Sequence, residues 1–143
     1  MTRWVVDASV GMKWCLPDKY EDMVPQAIHL LESYSRNLCL FVVPDLFWPE
    51  LANGLWKAVW KNKIDQRWAD AGYAKIANLS IPTAPTFGLV PQALRLAQTY
   101  QRTVYDSLYV ALALDRRAEL VTADERLANS LAGRFPVKWL GAI

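Results

Sequence analysis

LVTADERLA, residues 120–128, changes character part-way. Leu120 and Val121 close an apolar run, Thr122 adds a hydroxyl, Asp124 an acid, and from Glu125 the spacing turns helical. WVVDASVGMKW, residues 4–14, repeats the plan: an apolar run ends on Asp7, with Ser9 two residues later. A strand that finishes on an acid and passes straight into a helix is the opening of a βα unit. Two such openings stand near opposite ends of one chain.

Working outward, short apolar runs predict strands over 3–6, 40–43, 119–122 and 137–140. Helical periodicity predicts helices over 23–35, 46–61, 65–79, 89–100, 105–116 and 125–132. Strands separated by helices imply parallel pairing through right-handed crossovers. The expected fold is therefore a three-layer α/β/α domain with a short, mainly parallel central sheet. No internal repeat, low-complexity tract or linker divides the chain, so residues 1–143 are expected to form a single domain. In such a sheet the crevice outside the carboxyl ends of the strands collects the functional groups. Asp7 and Asp124 are both expected on that edge.

Composition narrows the chemistry. A hydrophobic fraction of 53% and a charged fraction of 21% exclude disorder. The longest apolar stretches, such as LCLFVV at 38–43, are too short to span a bilayer. No basic segment followed by an apolar core opens the sequence, so no signal peptide and a cytoplasmic location are expected. Cys15 and Cys39 form no CxxC and read as small buried apolar side chains. The single histidine, His29, leaves no material for a histidine triad or a multi-histidine metal site. Catalysis, if present, must rest on carboxylates. The formal net charge of +2 is a weak footprint for nucleic acid. Neutralising four converging acids would leave the rest of the surface clearly basic.

Four acids merit weighing. Asp7 and Asp124 each stand where Asp commonly caps a helix or makes an Asx turn. Asp106, in TVYDSLYVALALDRR (103–117), falls in a first helical turn, where its charge opposes the macrodipole. Glu50, in PDLFWPELANGLWKAV (44–59), follows Pro49 and sits amid Phe47, Trp48, Leu51 and Leu55. An acid beside such an apolar face must stay solvated, change its pKa or find a partner. All four would lie at strand ends or helix starts on one edge of the sheet. Carboxylates crowded there repel unless a positive charge stands between them. Mg²⁺ or Mn²⁺ takes oxygen ligands and keeps several waters. A cation so held lowers the pKa of bound water and braces phosphoryl oxygens, so the pattern points to phosphate chemistry.

The motifs VVDAS (5–9), PELANGLWK (49–57), YDSLYVALA (105–113) and LVTADERLA resemble the PIN-domain nucleases, and most of all the ribonuclease toxins of VapC type. The resemblance covers essentially the whole chain in length and motif order. It implies a PIN-like fold and a Mg²⁺- or Mn²⁺-dependent endoribonuclease, the toxin of a toxin–antitoxin pair. Asp7, Glu50, Asp106 and Asp124 would form the catalytic site, with Asp7, Asp106 and Asp124 holding the metal. Ser9, Asn53 and Thr122 would orient the carboxylates by hydrogen bonding. The implied partners are an RNA substrate and a small cognate antitoxin whose tail enters an apolar groove. Pro49 departs from the family pattern and bears on where the Glu50 helix begins. Two rivals fail on single positions. A haloacid-dehalogenase phosphatase needs an Asp where Ser9 stands, and a response-regulator receiver needs paired acids after its first strand. The remaining alternative is a degenerate PIN domain that binds RNA or protein without cutting.

Seven tryptophans are many for this length. Phe47, Trp48, Leu51, Leu55, Trp56, Val59 and Trp60 make a stripe too broad for a single packing face. Part of it is expected to meet an antitoxin helix or a second copy in a homodimer. Lys57, Lys61, Lys63, Arg67, Arg102, Arg116 and Arg117 read as solvated charges. Where such groups touch RNA they hold backbone phosphates and carry no base sequence information.

Overall fold

The computed structural model describes all residues, 1–143. Strand β1 (Arg3–Val6) leads into helix α1 (Ala8–Cys15), followed by α2 (Val24–Ser35) and β2 (Leu40–Pro44). Then come α3 (Phe47–Trp60), α4 (Gln66–Ala77) and the two-residue β3 (Thr83–Ala84). Helices α5 (Val90–Tyr100) and α6 (Val104–Arg116), strand β4 (Glu119–Thr122), α7 (Glu125–Leu131) and β5 (Val137–Trp139) complete the chain. The expected helices and strands are all present. The fifth strand, β3, was not expected: Thr83 and Ala84 lie between Pro82 and Pro85, too short a run to show a period. The last strand is also shorter than expected, because Leu140–Ala142 turns into a 3-10 helix.

The sheet order is β3-β2-β1-β4-β5 and every neighbouring pair is parallel. Strand register places Val5 opposite Val42 on one side and Leu120 on the other. Alternation along β1 divides the core into two layers. Trp4 and Val6 join a cluster with Val10, Trp14, Leu30, Leu51 and Ile76, contributed by α1 to α4. Val5 joins Val110, Leu112, Leu127 and Leu131, contributed by α6 and α7. Both faces of the sheet are thus covered, which is why its strands read as continuous apolar runs rather than alternating ones.

Strand order reverses between β1 and β4, since β2 and β3 extend the sheet to one side and β4 and β5 to the other. The crevice at such a reversal lies outside the carboxyl ends of the two central strands. Asp7 and Thr122–Asp124 occupy those two ends. The backbone joins them directly, Asp7 N–H donating to the Val121 carbonyl at 3.0 Å.

Helix α3 settles the role of Pro49. It is the third residue of the helix, where the N–H it lacks would have no intrahelical acceptor in any case. Glu50 therefore keeps a first-turn position, its N–H bonded to the Leu46 carbonyl at 3.1 Å. The broad aromatic stripe divides in two. Phe47, Leu51 and Leu55 are buried, whereas Trp56 and Trp60 are 59% and 71% exposed and stack on each other at 6.4 Å. With Val59, Ala69 and Tyr73 they line an open apolar groove of about 550 Å³ between α3 and α4. No helix is long and apolar enough to cross a membrane.

Candidate active site

Asp7 occupies the cap position of α1 without a well-formed side-chain cap bond, although the Ser9 N–H helps to hold its carboxyl down. Its Oδ2 accepts two hydroxyl bonds at 2.7 Å, from Ser9 Oγ and from Thr122 Oγ1. Each hydroxyl has one proton to give, and each gives it to Asp7. Their lone pairs are used as well: Ser9 Oγ accepts from Ala123 N–H at 3.0 Å and Thr122 Oγ1 from Asp124 N–H at 3.1 Å. Two side chains thereby tie the ends of β1 and β4 into one unit and fix the carboxylate between them. Both hydroxyl bonds fall on Oδ2.

The other acids arrive from three helix starts. Glu50 is half-buried in the first turn of α3, and its Oε1 accepts from Tyr109 Oη at 2.7 Å. Asp106 lies in the first turn of α6; the cap there is Thr103, whose Oγ1 takes the Asp106 N–H at 3.0 Å. The Asp106 carboxylate is therefore free of capping duty and faces Arg102, with Nη2 at 3.9 Å from Oδ2. Asp124 is exposed and does cap its helix, Oδ1 accepting from Leu127 N–H at 3.2 Å. Of the four acids, only Asp124 takes the ordinary capping role.

The acids feel one another. Burial pushes the Asp7 carboxyl up, the two hydroxyls hold it down, and the charge of Asp106 raises it again. Glu50 is raised by burial, lowered by the Tyr109 bond, and raised by both Asp7 and Asp106. Asp106 is raised by burial, lowered by Arg102 and raised by Asp124. The net direction is upward for all three, chiefly through burial, with the neighbouring carboxylates adding to it. Tyr109 is buried against the same charges, and its phenol is raised well beyond its usual range, so it stays a neutral donor.

Three residues of this environment were missed in the sequence or misread. Tyr109 stands three positions after Asp106, on the same helical face, and a buried phenol needs a polar partner; that spacing was a legible signal. Thr103 was legible as a cap three residues before Asp106. Arg102 is not a solvated charge: its side chain is only 23% exposed. Asn53, expected beside Glu50, is exposed one turn further along α3, and no hydrogen bond links it to an acid.

A family model for the PIN domain matches residues 5–130, a span that holds all four acids. The chain belongs to the PIN domain family. No curated protein matches the sequence significantly. Solved structures share the PIN fold across nearly the whole chain. PAE2754 from Pyrobaculum aerophilum is 21% identical with a TM-score of 0.72, covering 99% of this chain and 85% of that one. VapC20 from Mycobacterium tuberculosis, a Sarcin-Ricin loop cleaving toxin, is 14% identical with a TM-score of 0.67, covering 94% and 96%. VapBC2 from Rickettsia felis, bound to a DNA fragment from its promoter, gives 12% identity and a TM-score of 0.63, covering 96% and 98%.

The donor set of this PIN domain suits a hard divalent cation: carboxylate oxygens with no sulfur or imidazole among them. No three of these side chains stand in metal-binding geometry. A cation of the Mg²⁺ kind needs no such cage, since it is held by one or two carboxylates and retains its waters. Burial raises the carboxyls of Asp7, Glu50 and Asp106, and their mutual repulsion raises them further, so a cation among them would offset a real cost. The residues fit the group.

Proposed function

We propose that this PIN domain is an endoribonuclease that depends on Mg²⁺ or Mn²⁺ and serves as the toxin of a toxin–antitoxin pair. One observation supports the reading: Asp7 is held at the end of β1 by Ser9 and Thr122, and the charges of Glu50, Asp106 and Asp124, at three helix starts, reach it or one another. Asp7, Asp106 and Asp124 are the proposed metal-holding carboxylates, which side-chain movement would have to bring together around the ion, with Glu50 completing the catalytic set. A divalent cation, if held by these carboxylates, would lower the pKa of the attacking water and offset charge on the phosphoryl oxygens. The protein's own part is positional. Ser9 and Thr122 hold Asp7 through Oδ2. Tyr109 fixes Glu50 through Oε1, leaving Oε2 to orient water or accept a proton. Asp124 contributes whichever oxygen its cap leaves over.

The toxin assignment draws support from neighbours of the same fold, one a cleaving toxin and one a toxin–antitoxin complex. A cytoplasmic protein of one domain, partnered by a small antitoxin and by a second copy of itself, is the corresponding biological form. The exposed Trp56–Trp60 pair supplies apolar surface for such partners.

A purified sample incubated with mixed RNA is expected to cleave it with Mg²⁺ or Mn²⁺ and to stop with chelator. Equal cleavage in chelator, or in an Asp7→Asn/Asp106→Asn double variant, overturns the reading. The other reading, a PIN domain that binds without cutting, is favoured by the lack of a ready three-acid cage; binding of RNA without cleavage under any metal condition would select it.

A further inference from the structure

Arg102 is the cationic side chain in contact with Asp106, and its placement is unusual. The connection between α5 and α6 is very short. Gln101 ends α5 in the left-handed conformation at φ 54°, and Thr103 caps α6. Arg102 is thus fixed at its backbone from both sides, one turn before Asp106. Its guanidinium is mostly buried, yet the Nη2–Oδ2 separation of 3.9 Å is too long for a hydrogen bond. Its Nε is buried with no hydrogen-bond partner at all. A buried N–H left unsatisfied is costly, and a guanidinium normally meets a carboxylate through a close fork. Nη2 is within ion-pair range of Asp106, and no hydrogen bond fixes the guanidinium there.

We propose that Arg102 is the resident counter-ion of the acidic crevice, standing in for a divalent cation in the metal-free protein and opposing that cation's binding. The proposal rests on the metal-site reading above. Its physical basis is a balance of charge. Without metal, Asp106 feels the charge of Asp124 and is felt by Asp7 and Glu50, and Arg102, 3.9 Å from its Oδ2, is the group that offsets the excess. With metal present, the same guanidinium becomes a like charge beside the ion. Because no hydrogen bond anchors it to Asp106, it can retreat with little loss. Arg102 therefore sets how much cation the protein requires, as a positioning residue acting through Asp106.

The test is calorimetric titration of the intact protein with Mn²⁺ at low salt, on wild type, Arg102→Met and Arg102→Lys. Met keeps the apolar stem and removes the charge; Lys keeps the charge without the fork. Arg102→Met is expected to bind Mn²⁺ about three- to ten-fold more tightly than wild type, a gain that shrinks as added salt screens the charges. Arg102→Lys should stay close to wild type. Should the Met variant not fold, Arg102→Gln makes the same change of charge. Unchanged or weaker Mn²⁺ binding in the charge-removing variant overturns the proposal while leaving the metal site intact. Absence of Mn²⁺ binding in wild type overturns both readings.

Discussion

Replacing Asp106 with Asn separates a working acid from a structural one, because the two roles give opposite signs. A first-turn acid that merely opposes the macrodipole stabilises its helix by about 0.3–1 kcal/mol, so its neutralisation lowers stability by that amount with or without metal. The structure argues otherwise. Thr103 caps α6, and the Asp106 carboxyl is raised by burial and by Asp124 more than Arg102 lowers it. A carboxyl raised in the folded state favours the native protein only while protonated. That stability is present below the unfolded value, about 3.9 for Asp, and lost as pH rises through the folded value. At pH 7 the ionised Asp106 is therefore a net burden in the metal-free protein. Asp106→Asn removes it, and forfeits only the long, partly exposed Arg102 pairing, about 0.5 kcal/mol. The expected result in chelator is a melting temperature unchanged or raised, with any gain vanishing as pH approaches 4.

Metal reverses the order. At a hundred times its Kd a ligand stabilises the native state by about 2.7 kcal/mol. If the variant binds a hundred-fold more weakly, the same concentration gives about 0.4 kcal/mol. The variant should thus lose most of the metal-induced rise in melting temperature, a difference of several degrees for a chain of this size. The assay is thermal unfolding of wild type and variant at pH 7 and pH 4, each with Mg²⁺ and with chelator. An equal fall in both conditions at pH 7 would refute the reasoning and return Asp106 to a helical role.

Thr122→Val removes a hydroxyl that donates to Asp7 and accepts from Asp124 N–H, so urea unfolding at pH 7 should show a loss of about 1–3 kcal/mol. Since Asp7 then lacks a bond that favours its charged form, the loss should be smaller at pH 4; an equal loss at both pH values would show that Thr122 acts only through packing. Trp56→Ser combined with Trp60→Ser should abolish self-association in light scattering while leaving stability within about 0.5 kcal/mol, because both rings are exposed. A wild-type monomer at micromolar concentration would remove the basis for a dimer.

The sequence by itself determined the layer order and the location of the acids. Apolar runs such as WVV before Asp7 and ELV before Thr122, separated by helical periodicity, permit little but a parallel sheet with helices on both faces. Residues that follow those strands must then fall on one edge. Such inferences succeed because they depend on local period and chain connectivity, which sequence states directly. Strand β3 escaped because two residues between prolines carry no period; its pairing with β2 exists only once Val43 and Pro44 present their free edge.

What each acid does was decided only by tertiary structure. Asp7 and Asp124 look alike in sequence, each after a strand and before a helix. Asp124 caps α7, while the Asp7 carboxylate takes hydroxyl bonds from Ser9 in its own helix and from Thr122, a residue 115 positions away. Glu50 and Tyr109 are 59 positions apart, and their bond depends on α3 and α6 meeting at the same sheet edge. Arg102 reads as a surface charge in sequence and becomes a partly buried counter-ion because the tight α5–α6 turn brings its guanidinium within 3.9 Å of Asp106. Burial and long-range contact fix the charge state of a carboxylate, and neither is a property of the residues beside it in the chain.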